Sequence, residues 1–346
     1  MYADEYCATG KALDLVLCCL HRSEPIGFVL STLYGVYFVR QLSRISVIHI
    51  NLRIILCTIP VQYSTLSGTR VLYRIVTEND LLPEPWIFIV RALIDFVHRL
   101  ALNTCCLCIL TIGVERALAV IYRKDYEKRN AKIGTRLVIS VMILGTMNSM
   151  VNSVLDLIDL FAGSNTYGLP YLDRHPVISF YFISSASTFC IVGSSLTFVL
   201  SRIVKKISRK ESKVDLSTRY QSMENSDTVQ TLLPTIVGYT VFCSFCELFS
   251  AYVIYRDQDT CGVGTSCSEF FVEMSYISIN CYHYLFLTWI SLKFKKLNRL
   301  IKNDIQRMLN VKQDNPYTIS RDIDRHSPVD QGYSYFQQLK AEWQVK

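Results

Sequence analysis

The chain has 346 residues, of which 50% are hydrophobic and only 19% are charged, whereas a typical soluble domain carries about 25% charged residues. This balance argues against a soluble enzyme, and the scarcity of glycine and proline (14 and 9 residues) argues against collagen-like and largely disordered chains. The formal net charge is +7, but the basic residues flank apolar blocks. They therefore indicate membrane topology and do not imply a nucleic-acid partner.

In chain order, the apolar blocks predict seven membrane-crossing helices. A helix needs about 20 apolar residues to cross the hydrocarbon core of a bilayer. The fold class predicted is all-α, a polytopic membrane protein with a seven-transmembrane-helix bundle. The seven predicted crossings are an apolar run after Pro25, residues 47–66, about 92–122, 133–161, 176–204, 229–255 and 268–292.

The loops between these blocks predict the orientation of the chain, because lysine and arginine near helix ends are retained on the cytoplasmic side. One set of loops, together with the segment after the last block, holds 23 lysines and arginines, and the opposite loops and the N-terminus hold six. We therefore expect a multi-pass plasma-membrane protein with its N-terminus outside and its C-terminus in the cytoplasm.

The ends of the chain differ in character from the central part. Apolar residues at 294, 297, 301, 305 and 308 recur at helical spacing among many basic residues, which predicts an amphipathic helix on the inner leaflet. After it, the chain is polar without apolar periodicity. The expected organisation is a short extracellular N-terminus (1–24), a transmembrane domain (25–292), the amphipathic helix (293–312) and a disordered cytoplasmic tail (313–346).

The sequence holds thirteen cysteines, and most fall inside predicted crossings, where they are expected to be small packing residues. Cys243 and Cys246 have CxxC spacing, but no second pair accompanies them, so neither a metal nor a redox site is expected there. Cys261 and Cys267 lie in the short outer loop CGVGTSC. They are predicted to form a local disulfide, with Cys18 and Cys19 as alternative partners.

The chain contains none of the common hydrolase, zinc-protease, nucleotide-binding or dinucleotide-binding motifs. We therefore expect no enzyme activity and no cofactor. A transporter would need ionisable groups within the bilayer, and the candidates are Arg53, Asp156, Asp159, Glu247 and Glu273.

Glu115 and Arg116 end the third predicted crossing, in TIGVERALAVIYRKDYEKRN. An acid beside an arginine at this depth can hold the arginine in a resting state and release it when the bundle opens. The alternative is an arginine that simply extends to the membrane interface.

The sixth predicted crossing contains Pro234 and, one turn later, Gly238. Proline removes a backbone donor, so this pair predicts a kink near the inner end of the helix that can act as a hinge. The alternative is a static bend.

Three segments, VIHINL (47–52), TIGVERALAVIYRKDYEKRN (111–130) and LSTRYQSMEN (216–225), resemble the nematode chemoreceptors of the serpentine receptor class epsilon family. The resemblance covers about residues 45 to 310 and implies a seven-helix G-protein-coupled receptor. It matches Glu115 and Arg116 to the family's ER pair. It also implies coupling residues in the second and third inner loops: Asp125, Tyr126, Glu127, Arg219, Tyr220, Gln221, Glu224 and Asn225.

A ligand pocket is expected between the helices in the outer half of the bundle, lined by apolar and aromatic groups with a few polar ones. Each candidate could instead pack between helices or lie at the membrane interface. The candidates are Asp95, His98, Tyr181, Glu247, Tyr252, Glu273, Tyr276 and Tyr282.

The function expected from the sequence is a chemosensory receptor that binds an external small molecule and activates a heterotrimeric G protein. The resemblance further implies the membrane of a sensory neuron. The alternatives are a ligand-gated seven-helix channel, which would have its N-terminus inside, and a transporter, whose uptake would depend on the buried acids.

Overall fold

The computed structural model describes residues 12–45, 48–78, 83, 86–122, 126, 132–161, 176–210, 216–255 and 266–309. Within these ranges all regular structure is helical, which confirms the predicted all-α class. Seven long helices are followed by a shorter one: α1 (Ala12–Ser43), α2 (Ile50–Glu78), α3 (Trp86–Ile121), α4 (Lys132–Phe161), α5 (Pro176–Lys210), α6 (Leu216–Tyr255), α7 (Ser266–Lys293) and α8 (Lys295–Met308).

The helix α3 lies at the centre of the bundle, where it packs against α2, α4, α5 and α6. The bundle closes around it because α7 packs against both α6 and α1, and α1 packs against α2. We call the end where α1, α3, α5 and α7 begin the N-terminal end of the bundle, and the opposite end its C-terminal end.

Several helices extend beyond the apolar blocks that predicted them. The first helix begins at Ala12, well before the expected start after Pro25, and Pro25 lies inside it. The part of the helix before Pro25 carries charged side chains such as Glu24. A prediction that looks for unbroken apolar runs ends the run at such a residue. In the folded chain the half-buried Glu24 pairs with arginines of α2, so the helix continues through it.

Four helices in the described part are long and apolar enough to cross a membrane by length and composition: α3 to α6. The outer surface of α4 is strongly apolar, since Leu144, Met147 and Val151 expose more than half of their side-chain area. A surface of this kind is suited to contact with lipid. Among the described residues, α1, α2 and α7 do not meet the same test of length and composition, and all three carry charged residues described below.

The chain divides into two compact units, residues 1–299 and 300–346. The helix α8 begins in the first unit and ends in the second. It covers most of the predicted amphipathic segment, and its Leu297 is buried.

Candidate functional site

At the C-terminal end of the bundle, Arg116 is almost completely buried on α3, with 2% of its surface exposed, and the adjacent Glu115 is fully buried. The Arg116 guanidinium donates two hydrogen bonds to the Glu115 carboxylate, at 2.5 Å from Nε and 2.6 Å from Nη2. Its Nη1 also donates to Oδ1 of Asn225 on α6, at 3.2 Å. The paired charge therefore links α3 to α6.

Glu115 also binds Tyr126, from the segment between α3 and α4, and Tyr126 in turn contacts the beginning of α2. The Tyr126 hydroxyl donates to the Glu115 carboxylate, and Asn51 Nδ2 donates to the Tyr126 hydroxyl at 3.2 Å. The imidazole of His49 packs on the Tyr126 ring, with 4.3 Å between ring centroids. We call Asn51, Glu115, Arg116, Tyr126 and Asn225 the Arg116 network.

The protonation of two groups at the edge of this network follows from burial. Burial raises the pKa of the Tyr126 phenol, and the nearby Glu115 charge raises it further, so Tyr126 remains a hydrogen-bond donor at neutral pH. Burial lowers the pKa of His49 below its ordinary value, so His49 is neutral there.

The start of α4 joins the same network through its backbone. Gly134 donates its backbone N–H to Asn51 Oδ1 at 2.9 Å. A Cβ at Gly134 would lie 2.6 Å from the carbonyl oxygen of Asn51 and 2.7 Å from its Cα. Because these are backbone atoms, they cannot rotate away.

We expect the Gly134→Ala variant to be less stable by about 1–3 kcal/mol, because α4 must move away from α2 to accept the methyl group. The matched control is Gly27→Ala in α1, where the added Cβ meets nothing within 4 Å. Alanine is the better helix former, so the control should be neutral or slightly more stable. Thermal unfolding of both variants in detergent micelles measures the difference, and equal midpoints would contradict the close approach of α4 to α2.

The sequence identified only part of the Arg116 network. Glu115, Arg116, Tyr126 and Asn225 were predicted and lie together. His49 and Asn51 were not assigned a role, although they belong to the VIHINL segment that carried the family resemblance. The remaining predicted coupling positions have side chains outside the described part: Asp125, Glu127, Arg219, Tyr220, Gln221 and Glu224.

Toward the opposite end of the bundle, two arginines of α2 meet two glutamates in an ion cluster, of which Glu273 is buried and the other members are half-buried. We define the ion cluster as Glu24, Arg70, Arg74 and Glu273. Arg70 donates to Glu24 at 2.5 Å and to Glu273, and Arg74 contacts Glu24 at 2.5 Å and Glu273 at 2.6 Å. The cluster joins α1, α2 and α7, and its four charges sum to zero.

Aromatic and histidine side chains extend the ion cluster toward α3. The Arg70 guanidinium lies over the ring of Tyr276, 3.7 Å from its centroid, in cation–π geometry. The Tyr276 hydroxyl is 2.7 Å from His98 Nε2, and His98 Nδ1 is 3.0 Å from the hydroxyl of Thr69. A continuous polar path therefore runs from α7 through α3 to α2.

The structure brings four of the eight predicted ligand-binding residues to this region and places the others elsewhere. Glu273, Tyr276 and His98 belong to the polar path, and Asp95 pairs with Arg99 of the same helix at 3.2 Å. Tyr181 is 68% exposed on α5, and Glu247 is half-buried on α6. The side chain of Tyr252 lies outside the described part.

The eighth candidate, Tyr282, contacts the predicted kink of α6. Its hydroxyl donates to the carbonyl of Thr235, and its ring would be 3.3 Å from a Cβ on Gly238. From the same helix, α7, Trp289 donates to the carbonyl of Thr231 at 3.0 Å. Two α7 donors therefore bind α6 carbonyls on either side of Pro234.

A cavity of about 810 Å³ lies between α1, α2, α3 and α4 and was not predicted. Most of its lining is apolar, with Gln62 and Arg53 among the polar residues. Arg53 donates to the carbonyls of Ser43 and Ile45, at 3.1 and 2.7 Å. Its charge therefore interacts with the unpaired carbonyls at the end of α1.

Cys18, in α1, forms a disulfide bond, while Cys19 is free. Cys18 was one of the alternative partners named from the sequence. The predicted pair stays untested, because Cys261 and the side chain of Cys267 lie outside the described part.

Comparison with known proteins gives two matches. The family model for the serpentine type 7TM GPCR receptor class ab chemoreceptors matches residues 78–344. A Caenorhabditis elegans protein described as "Probable G-protein coupled receptor F27E5.8" is 24% identical over an alignment of 228 residues that covers 62% of this chain and 59% of that protein. The chain therefore spans somewhat less than two thirds of this relative's length. The matches support the wider group of related serpentine receptors, whereas class epsilon, named from the motifs, is not confirmed.

Proposed function

Because the chain belongs to the serpentine type 7TM GPCR receptor class ab chemoreceptor family, we propose that it is a plasma-membrane receptor that binds an external chemical and activates a heterotrimeric G protein. The basic residues near the C-terminal end of the bundle support a cytoplasmic location for that end. The Arg116 network then faces the G protein, and the ion cluster lies toward the external side. By family membership, a sensory neuron is the proposed site of expression.

The observation that carries this proposal is the buried Arg116, bound both to Glu115 and to Asn225 on α6. In a resting bundle this contact holds the cytoplasmic ends of α3 and α6 together. Movement of α6 away from α3 would break the 3.2 Å bond to Asn225 and open a cleft. The proposed contacts of the G protein are Asp125 and Glu127 of the second inner loop and four residues that the sequence assigned to the third inner loop but that lie in the first turns of α6: Arg219, Tyr220, Gln221 and Glu224.

The segment of α6 that contains Pro234 and Gly238 is the proposed hinge for this movement. Proline leaves one carbonyl of α6 without its helical donor, which weakens the helix locally. Because Tyr282 and Trp289 bind carbonyls that flank Pro234, a shift of α7 would be transmitted to α6. The hinge thus connects the helix that carries Glu273 with the helix that carries Asn225.

The ligand is proposed to bind beside the ion cluster, in contact with Tyr276, His98 and Asp95. Within the cluster Arg74 is the most accessible arginine, with 19% of its side chain exposed. An acidic group on a small ligand can compete with Glu273 for Arg74, because a guanidinium binds carboxylates in paired hydrogen bonds. Such competition would shift α7 relative to α2, which is the movement that the hinge needs.

The pairing of Glu273 also bears on the alternative of a transporter. A proton-carrying acid must exchange its proton during transport, whereas Glu273 contacts two arginines that stabilise its charged form. This arrangement favours a role in holding helices together or in binding ligand.

The first test is the topology of the chain in intact cells, with an antibody-accessible tag at each end. The proposal expects the N-terminal tag to be stained without permeabilisation and the C-terminal tag only after it. The same tags on a receptor of known orientation serve as the control. An inverted result would place the Arg116 network outside the cell and contradict G-protein coupling.

A further inference from the structure

Three cysteines from three different helices meet inside the bundle: Cys106 of α3, Cys190 of α5 and Cys243 of α6. Their sulfur atoms all lie within 4.8 Å of one another, and the Sγ atoms of Cys190 and Cys243 are 3.8 Å apart. Cys106 and Cys190 are buried, with 4% and 0% of their surface exposed, and Cys243 is half-buried. All three are free thiols. We call them the thiol triad.

The triad is held in place by the close packing of its helices. Gly193, one turn from Cys190, lets α5 approach α3 so closely that a Cβ there would lie 2.9 Å from Cα of Leu110. On the other side, the Thr240 hydroxyl donates to the carbonyl of Cys190 at 3.0 Å, which fixes α5 against α6. The positions of the three sulfur atoms are therefore set by backbone contacts.

We propose that the thiol triad binds a single thiophilic metal ion, Cu(I). A metal–sulfur bond is about 2.3 Å long, so three sulfur atoms around one ion in a plane are about 4.0 Å apart. The observed 3.8 Å between Cys190 and Cys243 agrees with that separation. The Cys106 sulfur lies within 4.8 Å of the other two, so it needs to move by less than about 1 Å to reach the same separation.

Cu(I) fits this set of ligands better than Zn²⁺ does. Soft thiolates bind both Cu(I) and Zn²⁺, so the number of available ligands decides between the two ions. A structural Zn²⁺ site needs a fourth ligand from cysteine, histidine or a carboxylate. The group that the described part offers here is the hydroxyl of Tyr239, 3.8 Å from Cys106 Sγ, and a neutral phenol is not among those ligands.

Binding needs no change in oxidation state. Each thiol that becomes a ligand as thiolate releases one proton, and copper stays Cu(I) throughout. The half-buried Cys243 is the accessible member of the triad. The bound ion would connect α3, α5 and α6 in the middle of the bundle, a connection distinct from the Arg116 network.

The test uses the full-length chain, purified in detergent micelles under argon. Cu(I) is titrated in competition with bicinchoninate, a Cu(I) chelator whose colour reports the metal that it holds. We expect one tightly bound Cu(I) per chain. Replacing Cys190 or Cys243 by serine should lower the affinity of this site for Cu(I) by more than about 100-fold. Loss of a metal ligand lowers the affinity more than loss of a residue that only orients a ligand.

The matched controls are Cys105→Ser and Cys246→Ser. Cys105 precedes Cys106 on α3 and is buried to the same degree, and Cys246 is the CxxC neighbour of Cys243. Neither belongs to the triad, so both variants should bind Cu(I) as the unaltered chain does. An unaltered affinity in the chain with all three triad cysteines replaced would overturn the proposal.

A second measurement on the unaltered chain does not depend on the folding of any variant. X-ray absorption of the copper-loaded chain should show three sulfur neighbours at about 2.3 Å. Two sulfur neighbours would overturn the trigonal site, and Zn²⁺ binding at the triad in preference to Cu(I) would overturn the choice of ion. A Cys190–Cys243 disulfide, found by mass spectrometry in the freshly purified chain, would also contradict the proposal.

Discussion

Glu273→Leu is expected to destabilise the folded receptor by about 3–5 kcal/mol, because removal of one member of a buried ion cluster leaves another charge without compensation. Glu273 contacts both Arg70 and Arg74 and is 7% exposed. Without it, two half-buried guanidinium groups share the single carboxylate of Glu24. Equilibrium unfolding in mixed micelles measures the loss.

Two further variants separate the charge effect from a simple loss of packing. The double variant Glu273→Leu with Arg70→Leu restores neutrality, since Arg74 and Glu24 remain paired at 2.5 Å. We expect this double variant to be more stable than Glu273→Leu alone. A double-mutant cycle measures the corresponding coupling energy between Glu273 and Arg70.

The matched control is Asp95→Asn. This residue forms an ion pair with Arg99 toward the same end of the bundle, but Asp95 is 32% exposed, so the change should cost no more than about 1 kcal/mol. If Glu273→Leu and Asp95→Asn are equally stable, the ion cluster does not hold α7 to α2.

Glu115→Gln is expected to raise the basal activity of the receptor roughly tenfold, the factor that corresponds to about 1.4 kcal/mol in a two-state equilibrium. This prediction rests on the proposed function. The substitution removes the charge that holds Arg116, while the amide can still accept the hydrogen bond of Tyr126. The readout is nucleotide exchange on a co-expressed G protein without ligand, normalised to receptor at the cell surface.

Two variants on α6 test whether the bond between Arg116 and Asn225 contributes to this effect. Asn225→Ala removes only the 3.2 Å bond between Arg116 and α6, so it should raise basal activity less than Glu115→Gln does. Gln230→Ala is the matched control, because Gln230 is exposed on the same helix and its amide donates to Ser226. Basal activity that is the same in all three variants and the unaltered chain would eliminate the Arg116 network as a lock.

The sequence predicted those features of the fold that depend on local composition. Long apolar blocks gave the seven helices, since a run of about 20 apolar residues has few ways to satisfy its backbone in a membrane other than as a helix. The helix at Lys295–Met308 followed from apolar residues at helical spacing. The predicted start of the first helix was wrong, because charged residues within that helix interrupt the apolar block. The helix begins at Ala12.

The candidate sites could be predicted only in part, because a site is defined by its partners. The pair Glu115 and Arg116 is adjacent in sequence, so their contact was foreseeable. The contacts of Tyr126 with Asn51 and of Arg116 with Asn225 span 75 and 109 residues, and no local pattern specifies them. Cys243 shows the same limit, since its CxxC spacing pointed to Cys246 whereas its sulfur lies beside Cys106 and Cys190.

The sequence by itself determined that this chain is helical and apolar, and its basic residues predict the orientation, because hydropathy and charge act residue by residue along the chain. Only the tertiary structure decided how α1, α2 and α7 can lie in the bundle despite their charges. Glu24, Arg70, Arg74 and Glu273 come from these three helices and neutralise one another when the helices pack. The free-energy cost of burying each of these charges depends on the opposite charges beside it, and the charges come together only when the chain has folded.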